Sequence, residues 1–311
     1  MRIVKETNFD FMSKTKVTRF ISILFLIVGF SSLIINKGPK LSIDFVGGTM
    51  IAVNFTESVE IDKLRSSLKS VTISGRSFDL SNSEIKYFGD NSNISIRLSE
   101  IENEPEKFIQ NLIKELSKIF PNKVPQKEKD FILSIEKVGP KIGAELSSDA
   151  FMAIFSALAL ILIYISIRFE FKYAIGAIIA LAHDILITLG VFSVLDYEIS
   201  LAVIAAFLTI VGYSLNDTIV IFDRIRENVK GLKSAPLTLV VNQSINESLS
   251  RTIITSLTTF SVVLILFLVG GEVIHTFAFA MLIGVIIGTY SSIFIASPVV
   301  IKMDSRKNPN K

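Results

Sequence analysis

Long apolar runs bounded by charge constrain this chain more than any other feature. Six of them fit membrane-spanning helices of about 17–25 residues: Val17–Ile35, Ala150–Ile167, Tyr173–Leu195, Ser200–Phe222, Ile253–Gly270 and Ile274–Ile301. Charge concentrates before Phe20, between Asn36 and Asp149, around Phe222 to Arg251, and after Ile301, and is sparse in the blocks between. That alternation predicts a polytopic α-helical membrane protein with six transmembrane helices and one sizeable polar domain. The first run is too long for the apolar part of a signal peptide, and no A-x-A-like site follows it, so it reads as a retained signal-anchor.

Composition removes several classes of function. The chain of 311 residues has a net charge of only +3 and no basic run with interleaved aromatics, which argues against nucleic acid. It has no cysteine, so disulfides, Cys-ligated metals and thiol catalysis are excluded. Its two histidines, His183 and His275, lack HxxxH or HExxH spacing, and no GxxxxGK[ST] phosphate loop is present. The expectation is a chain that is not an enzyme and carries no cofactor or metal.

Lysine and arginine set the orientation. Lys5, Lys14, Lys16 and Arg19 precede the first span, and Arg168 and Lys172 lie between the second and third. Arg224, Arg226, Lys230, Lys233 and Arg251 lie between the fourth and fifth, and Lys302, Arg306, Lys307 and Lys311 follow the last. The opposite short loops carry Asp196, Glu198 and Glu272. Residues 1–16 and 302–311 are therefore expected in the cytoplasm, with 17–35 the first span, 36–149 outside, and 150–301 the other five spans.

The outer segment reads as one α+β domain. Thr49–Phe55 alternates like a strand, and Ile61–Val71 has helical spacing. Ser83–Gly89 and Asn93–Ser99 alternate about Asp90-Asn91 as a hairpin. Pro105–Phe120 opens with proline and carries an apolar face of Phe108, Ile109, Leu112, Ile113, Leu116 and Phe120. Phe131–Gly139 alternates again. The order β-α-β-β-α-β is the ferredoxin-like pattern. Two motifs flank it. In SIDFVGGT (Ser42–Thr49), Gly47-Gly48 permits a sharp turn and a hinge, and Asp44 is either a functional acid or part of a turn or cap. In KVGPKIGAELSSDA (Lys137–Ala150), Gly139-Pro140 ends the strand and is a second hinge, and Ser147, Ser148 and Asp149 are placed to cap the next helix.

Inside the spans, polar residues mark the candidate site. The string GYSLNDTIVIFDRIREN (Gly212–Asn228) puts Asp217 within the fourth apolar block. An aspartate at the centre of a membrane helix costs ~2.5–3.5 kcal/mol on insertion scales, so its default reading is an ion or proton site. Tyr213, Asn216 and Thr209 extend it into a polar strip. Arg251, Thr255 and Thr259 repeat every four residues and share one face of the fifth span, flanked by Ser256 and Thr258. The third span contributes His183-Asp184 and Thr188. The sixth contributes Thr289, Ser291 and Ser292, with GVIIG (Gly284–Gly288) as a small-residue packing face. The competing structural reading is that membrane serines and threonines bond their own backbone, and that Arg251 only anchors a helix end.

SIDFVGGT, VGPKIGAEL, LAHDILITLGVFS, GYSLNDTIVIFDRIREN and SLSRTIITSLTTF together resemble the SecF family of bacterial protein-export membrane proteins, within the resistance-nodulation-division superfamily. The resemblance implies a SecD partner, association with the SecYEG channel and often YajC, an indirect link to SecA, and an unfolded preprotein as substrate. It implies use of the proton-motive force in the plasma membrane. It assigns the intramembrane aspartate to Asp217 and the arginine that opens the fifth span to Arg251. Two other readings stay open: half of a proton-driven small-molecule exporter, and a scaffold of the channel complex that transports nothing. Proton and sodium coupling are equally compatible with a carboxylate among Asn, Ser and Thr oxygens.

Overall fold

A computed structural model describes residues 7–88, 90–99, 101, 104–232 and 235–307. Lys5, Gly89, Lys233 and Lys311 lie outside the described residues. The chain divides into two compact units, Leu41–Asp149 and the remainder.

In chain order, helix α1 (Thr15–Ile35) carries the first apolar run, and α2 (Ile43–Val46) leads into strand β1 (Gly48–Asn54). Helix α3 (Ile61–Ser67) ends in a 3-10 turn and is followed by a short hairpin, β2 (Val71–Ile73) and β3 (Arg76–Phe78). Then come β4 (Glu84–Phe88), β5 (Asp90–Leu98), α4 (Phe108–Ile119), α5 (Glu128–Phe131) and β6 (Ile132–Val138). The four main strands form one antiparallel sheet in the order β4-β5-β1-β6, with Ile51 opposite Ile96 on one side and Ile135 on the other. Alternation puts Ile51, Val53, Ile94 and Ile96 on one face. There they meet Leu64 and Leu68 after β1 and Phe108, Leu112 and Leu116 of α4, all buried. At about 25 cal/mol per Å² of apolar surface removed from water, this core is what holds the domain together.

Three details differ from the sequence reading. The β2–β3 hairpin is additional. Its turn, Ser74-Gly75, has φ of 52° and 78°, and a Ser-Gly pair is the only local sign of it. Helix α4 starts at Phe108 rather than Pro105, because Lys107 takes a left-handed conformation (φ 59°) that a helix cannot continue through. Ser147, Ser148 and Asp149 cap nothing: α6 (Pro140–Arg168) begins at Pro140, whose missing N–H costs nothing in a first turn, and runs unbroken through them.

The glycine pair after α2 is required by geometry. Gly47 and Gly48 have φ of +75° and +124°, and a Cβ on Gly48 would sit 2.5 Å from the Leu98 carbonyl oxygen. Gly48→Ala should lower the thermal stability of the full chain by about 1–3 kcal/mol. Gly139→Ala, at a site where a Cβ meets nothing within 4 Å, should stay within about 0.5 kcal/mol of wild type. Equal melting of the two variants would contradict this account of the turn.

The other unit consists of α1 with α6 from Ala150 onward, α7 (Phe171–Val194), α8 (Leu201–Gly231), α9 (Leu237–Val269), α10 (Glu272–Ser291) and α11 (Ser297–Lys307), the last two joined by a π-helical turn at Ser292–Ala296. Among the described residues, six helical stretches are long and apolar enough to cross a membrane. Helices α8 and α9 outrun their apolar blocks: α8 continues from Phe222 to Gly231, and α9 begins at Leu237, well before Arg251. Between those blocks the first breakers are Gly231 and Pro236, and the helices stop there. Helices α7, α8 and α10 are about half buried along their spans, whereas α1, α6 and α9 are mostly exposed. Helix α6 shows Phe151, Phe155, Leu160 and Ile167 to its surroundings.

Candidate functional site

Close packing of α10 on α8 builds the centre of the bundle. A Cβ on Gly284 would overlap Ile210, and one on Gly288 would come within 2.9 Å of the Ser214 Cβ, so only glycine lets the helices approach this far. The approach carries Ser214 and Ser291 to Asp184 of α7. Asp184 is fully buried and accepts hydrogen bonds from Ser214 Oγ at 2.6 Å and Ser291 Oγ at 2.8 Å; its other oxygen lies 2.9 Å from His183 Nδ1. His183 Nε2 is 3.1 Å from Ser22 Oγ, Ser22 Oγ is 2.8 Å from Tyr290 Oη, and Tyr290 donates to the Thr18 carbonyl at 2.6 Å. This chain of polar groups ties α1, α7, α8 and α10 together. The π-helical turn starts one residue beyond Ser291, where the α10 ladder is interrupted.

Asp217, on α8 one turn from Ser214, is held differently. It is 2% exposed. Thr255 Oγ1 lies 3.4 Å from one carboxylate oxygen and Ser256 Oγ 3.3 Å from the other. Both hydroxyls have nearer partners: Thr255 the Thr252 carbonyl at 2.9 Å, and Ser256 the Thr289 hydroxyl at 2.7 Å. The Tyr213 hydroxyl, one turn away on the same helix, is buried and makes no hydrogen bond among the described residues. Asp217 is thus a buried acid with two long hydrogen bonds, and the donor one turn away on its helix is unused among the described residues. Leaving such a donor unmade costs about 1–3 kcal/mol.

The structure does not pair Arg251 with Asp217. Arg251 is exposed, makes no ion pair among the described residues, and lines a charged cleft with Asn216. Asn216 and Thr209 also lie on the exposed face of α8, so the sequence-level strip splits, Asp217 turning inward and Asn216 outward. The structural reading of the threonines holds for Thr188, Thr209 and Thr258, each bonded to a carbonyl four residues back. Asp44 sits in the first turn of α2, where Ser42 is the cap: its Oγ accepts from the Asp44 N–H at 3.2 Å. Gly139 and Pro140 sit where β6 gives way to α6. Among the described residues no group of three or more His, Cys, Asp or Glu side chains is placed to hold a metal. Ser22, Ser214 and Tyr290 were not legible as site residues. Their only sign is polarity within apolar runs, because their partners lie on other helices.

Fold and site together define a polytopic membrane protein organised around two buried intramembrane carboxylates. The family described as protein export membrane protein SecD/SecF, C-terminal, matches residues 120–306, and the SecD/SecF GG motif matches residues 32–59, which include Gly47-Gly48. The chain is 44% identical to protein translocase subunit SecF of Calditerrivibrio nitroreducens, over 96% of this chain and 95% of that one. It is 42% identical to that of Thermodesulfovibrio yellowstonii, over 97% and 96%. A crystal structure of SecDF, a translocon-associated membrane protein from Thermus thermophilus, superposes with a TM-score of 0.82 at 36% identity; it covers 97% of this chain, which spans 39% of that one. SecDF in a super-membrane-facing form gives 0.69 at 36% identity, over 99% and 40%. The chain belongs to the SecF family of protein translocase subunits.

Proposed function

We propose that this chain is the SecF half of a motor that uses the proton-motive force to complete preprotein export through SecYEG. The buried, loosely held carboxylate of Asp217 is the observation that carries the reading. Burial favours a neutral acid and a guanidinium favours a charged one, so a carboxylate that moves between an enclosed site and Arg251 exchanges its proton. Asn216, Tyr213, Thr255, His183 and Asp184 support the path. One charge crossing 100 mV releases ~2.3 kcal/mol, enough to bias a two-state element by a factor of tens. That element is the outer domain, turning on Gly47-Gly48 and Gly139-Pro140 to hold an emerging chain against backsliding.

The same reading places both termini in the cytoplasm of a bacterium, the spans in its inner membrane, and Leu41–Asp149 outside. It assigns that domain to the ferredoxin-like class, which the sheet order β4-β5-β1-β6 supports. SecD supplies the rest of the motor. Support comes from the exposed Thr209 and Gly212 on α8, a polar and small-residue stripe ill suited to lipid. YajC and, indirectly, SecA complete the assembly. Removing the chain from inverted membrane vesicles should abolish the acceleration of late export by a proton gradient, and adding it back should restore it. An undiminished gradient response in vesicles without it would overturn the reading.

A further inference from the structure

A cleft of about 760 Å³ opens where α6 ends, α8 leaves its apolar block and α9 enters one. Five cations line it, Arg168, Arg224, Arg226, Lys230 and Arg251, against three carboxylates. The carboxylates are already engaged. Arg224 bonds Glu227 at 2.8 Å and Glu247 at 2.6 Å, and Arg168 lies 3.5 Å from Asp223. Arg226, Lys230 and Arg251 have no carboxylate partner among the described residues. Arg226 is held in place, donating to the Arg168 carbonyl at 3.2 Å with its guanidinium 5.6 Å from the Phe169 ring centroid.

We propose that this cleft binds the phosphate head group of an anionic phospholipid. The site lies at the end of the apolar spans, the depth at which a head group sits. Its surplus positive charge is complementary to a phosphodiester, and basic pockets between membrane helices take such groups. The volume suits a head group. Exposed apolar side chains lead away from it along two helices, Ile253 and Leu257 on α9 and Leu160 and Ile167 on α6, giving the acyl chains a surface to follow. The inference does not depend on the proton relay, and its test leaves Asp217 and Arg251 intact.

The test is native mass spectrometry of the full chain in detergent, titrated with phosphatidylglycerol or phosphatidylcholine. Wild type should retain phosphatidylglycerol preferentially. Lys230→Gln and Arg226→Gln should each weaken retention about fivefold and the double variant about 30-fold; Lys230→Arg with Arg226→Lys should retain it within about twofold. Lys230 is exposed and makes no ion pair among the described residues, so Lys230→Gln reports even if the Arg226 variant fails to fold. Equal retention of the two lipids, or no change on neutralising the cations, would overturn the proposal. So would displacement by an equal concentration of glycerol phosphate, which would mark a site for a free anion. Exclusion of lipid by SecD in the co-purified complex would instead make the cleft a protein contact and overturn it equally.

Discussion

Asp217→Asn should leave the assembled protein folded and remove the acceleration that a proton gradient gives to late export. Asparagine has nearly the same shape and keeps a carbonyl oxygen for Thr255 or Ser256, whose bonds to Asp217 are long, 3.4 and 3.3 Å. Little packing is lost, and the melting temperature should stay close to that of wild type. What disappears is the group that can gain and lose a proton. A bias of ~2.3 kcal/mol per 100 mV corresponds to a factor of tens in rate or population, so the gradient-dependent part of export should fall by about that factor. Asp217→Glu, which keeps the acid on a longer arm, should recover part of it. A gradient response in Asp217→Asn equal to that of wild type would assign the residue to structure and favour the scaffold reading.

Asp184→Ala should do the reverse and destabilise the bundle. Asp184 is fully buried and holds α8 through Ser214 and α10 through Ser291 with bonds of 2.6 and 2.8 Å, while His183 beside it reaches α1. Interhelical hydrogen bonds in membranes average ~0.6 kcal/mol each. Removing the shared acceptor also strands the buried Ser214 hydroxyl, at about 1–3 kcal/mol for an unmet group, while Ser291 keeps the Gly288 carbonyl at 3.1 Å. A loss of about 2 kcal/mol or more is expected in thermal unfolding of the purified chain, with a smaller loss for Asp184→Asn, which keeps one acceptor oxygen. Melting of Asp184→Ala at the wild-type temperature would show that the cluster is not what ties the four helices together.

These two acids look alike in the sequence, each an aspartate in an apolar block, and their different environments explain what the sequence can and cannot convey. The six spans were legible because hydrophobic length is a local property. The strands of the outer domain were legible because alternation marks β1, β4, β5 and β6, and the apolar face of α4 repeats at helical spacing. The extension of α6 back to Pro140 was not, since Gly143, Ser147 and Ser148 resemble a linker until their neighbours fix them in a helix. Within the site, Asp217, Thr255 and the packing role of Gly284 and Gly288 followed from depth and spacing. The Asp184 network did not, because Ser22, Ser214, Tyr290 and Ser291 lie far apart in the chain and meet only when glycine lets α10 close on α8. Its position at the head of a polar face points Arg251 toward Asp217 in the sequence; the structure turns it outward into the cleft, where it makes no ion pair among the described residues.

On the proposed function, Asp217 itself changes protonation when a gradient is applied. Infrared difference spectroscopy of the SecD–SecF assembly in sealed vesicles, recorded as a proton gradient is imposed, reads this directly. A gradient-dependent band of a protonated carboxyl group is expected in wild type and absent in Asp217→Asn. No such band in wild type, or the same band in both, would contradict it.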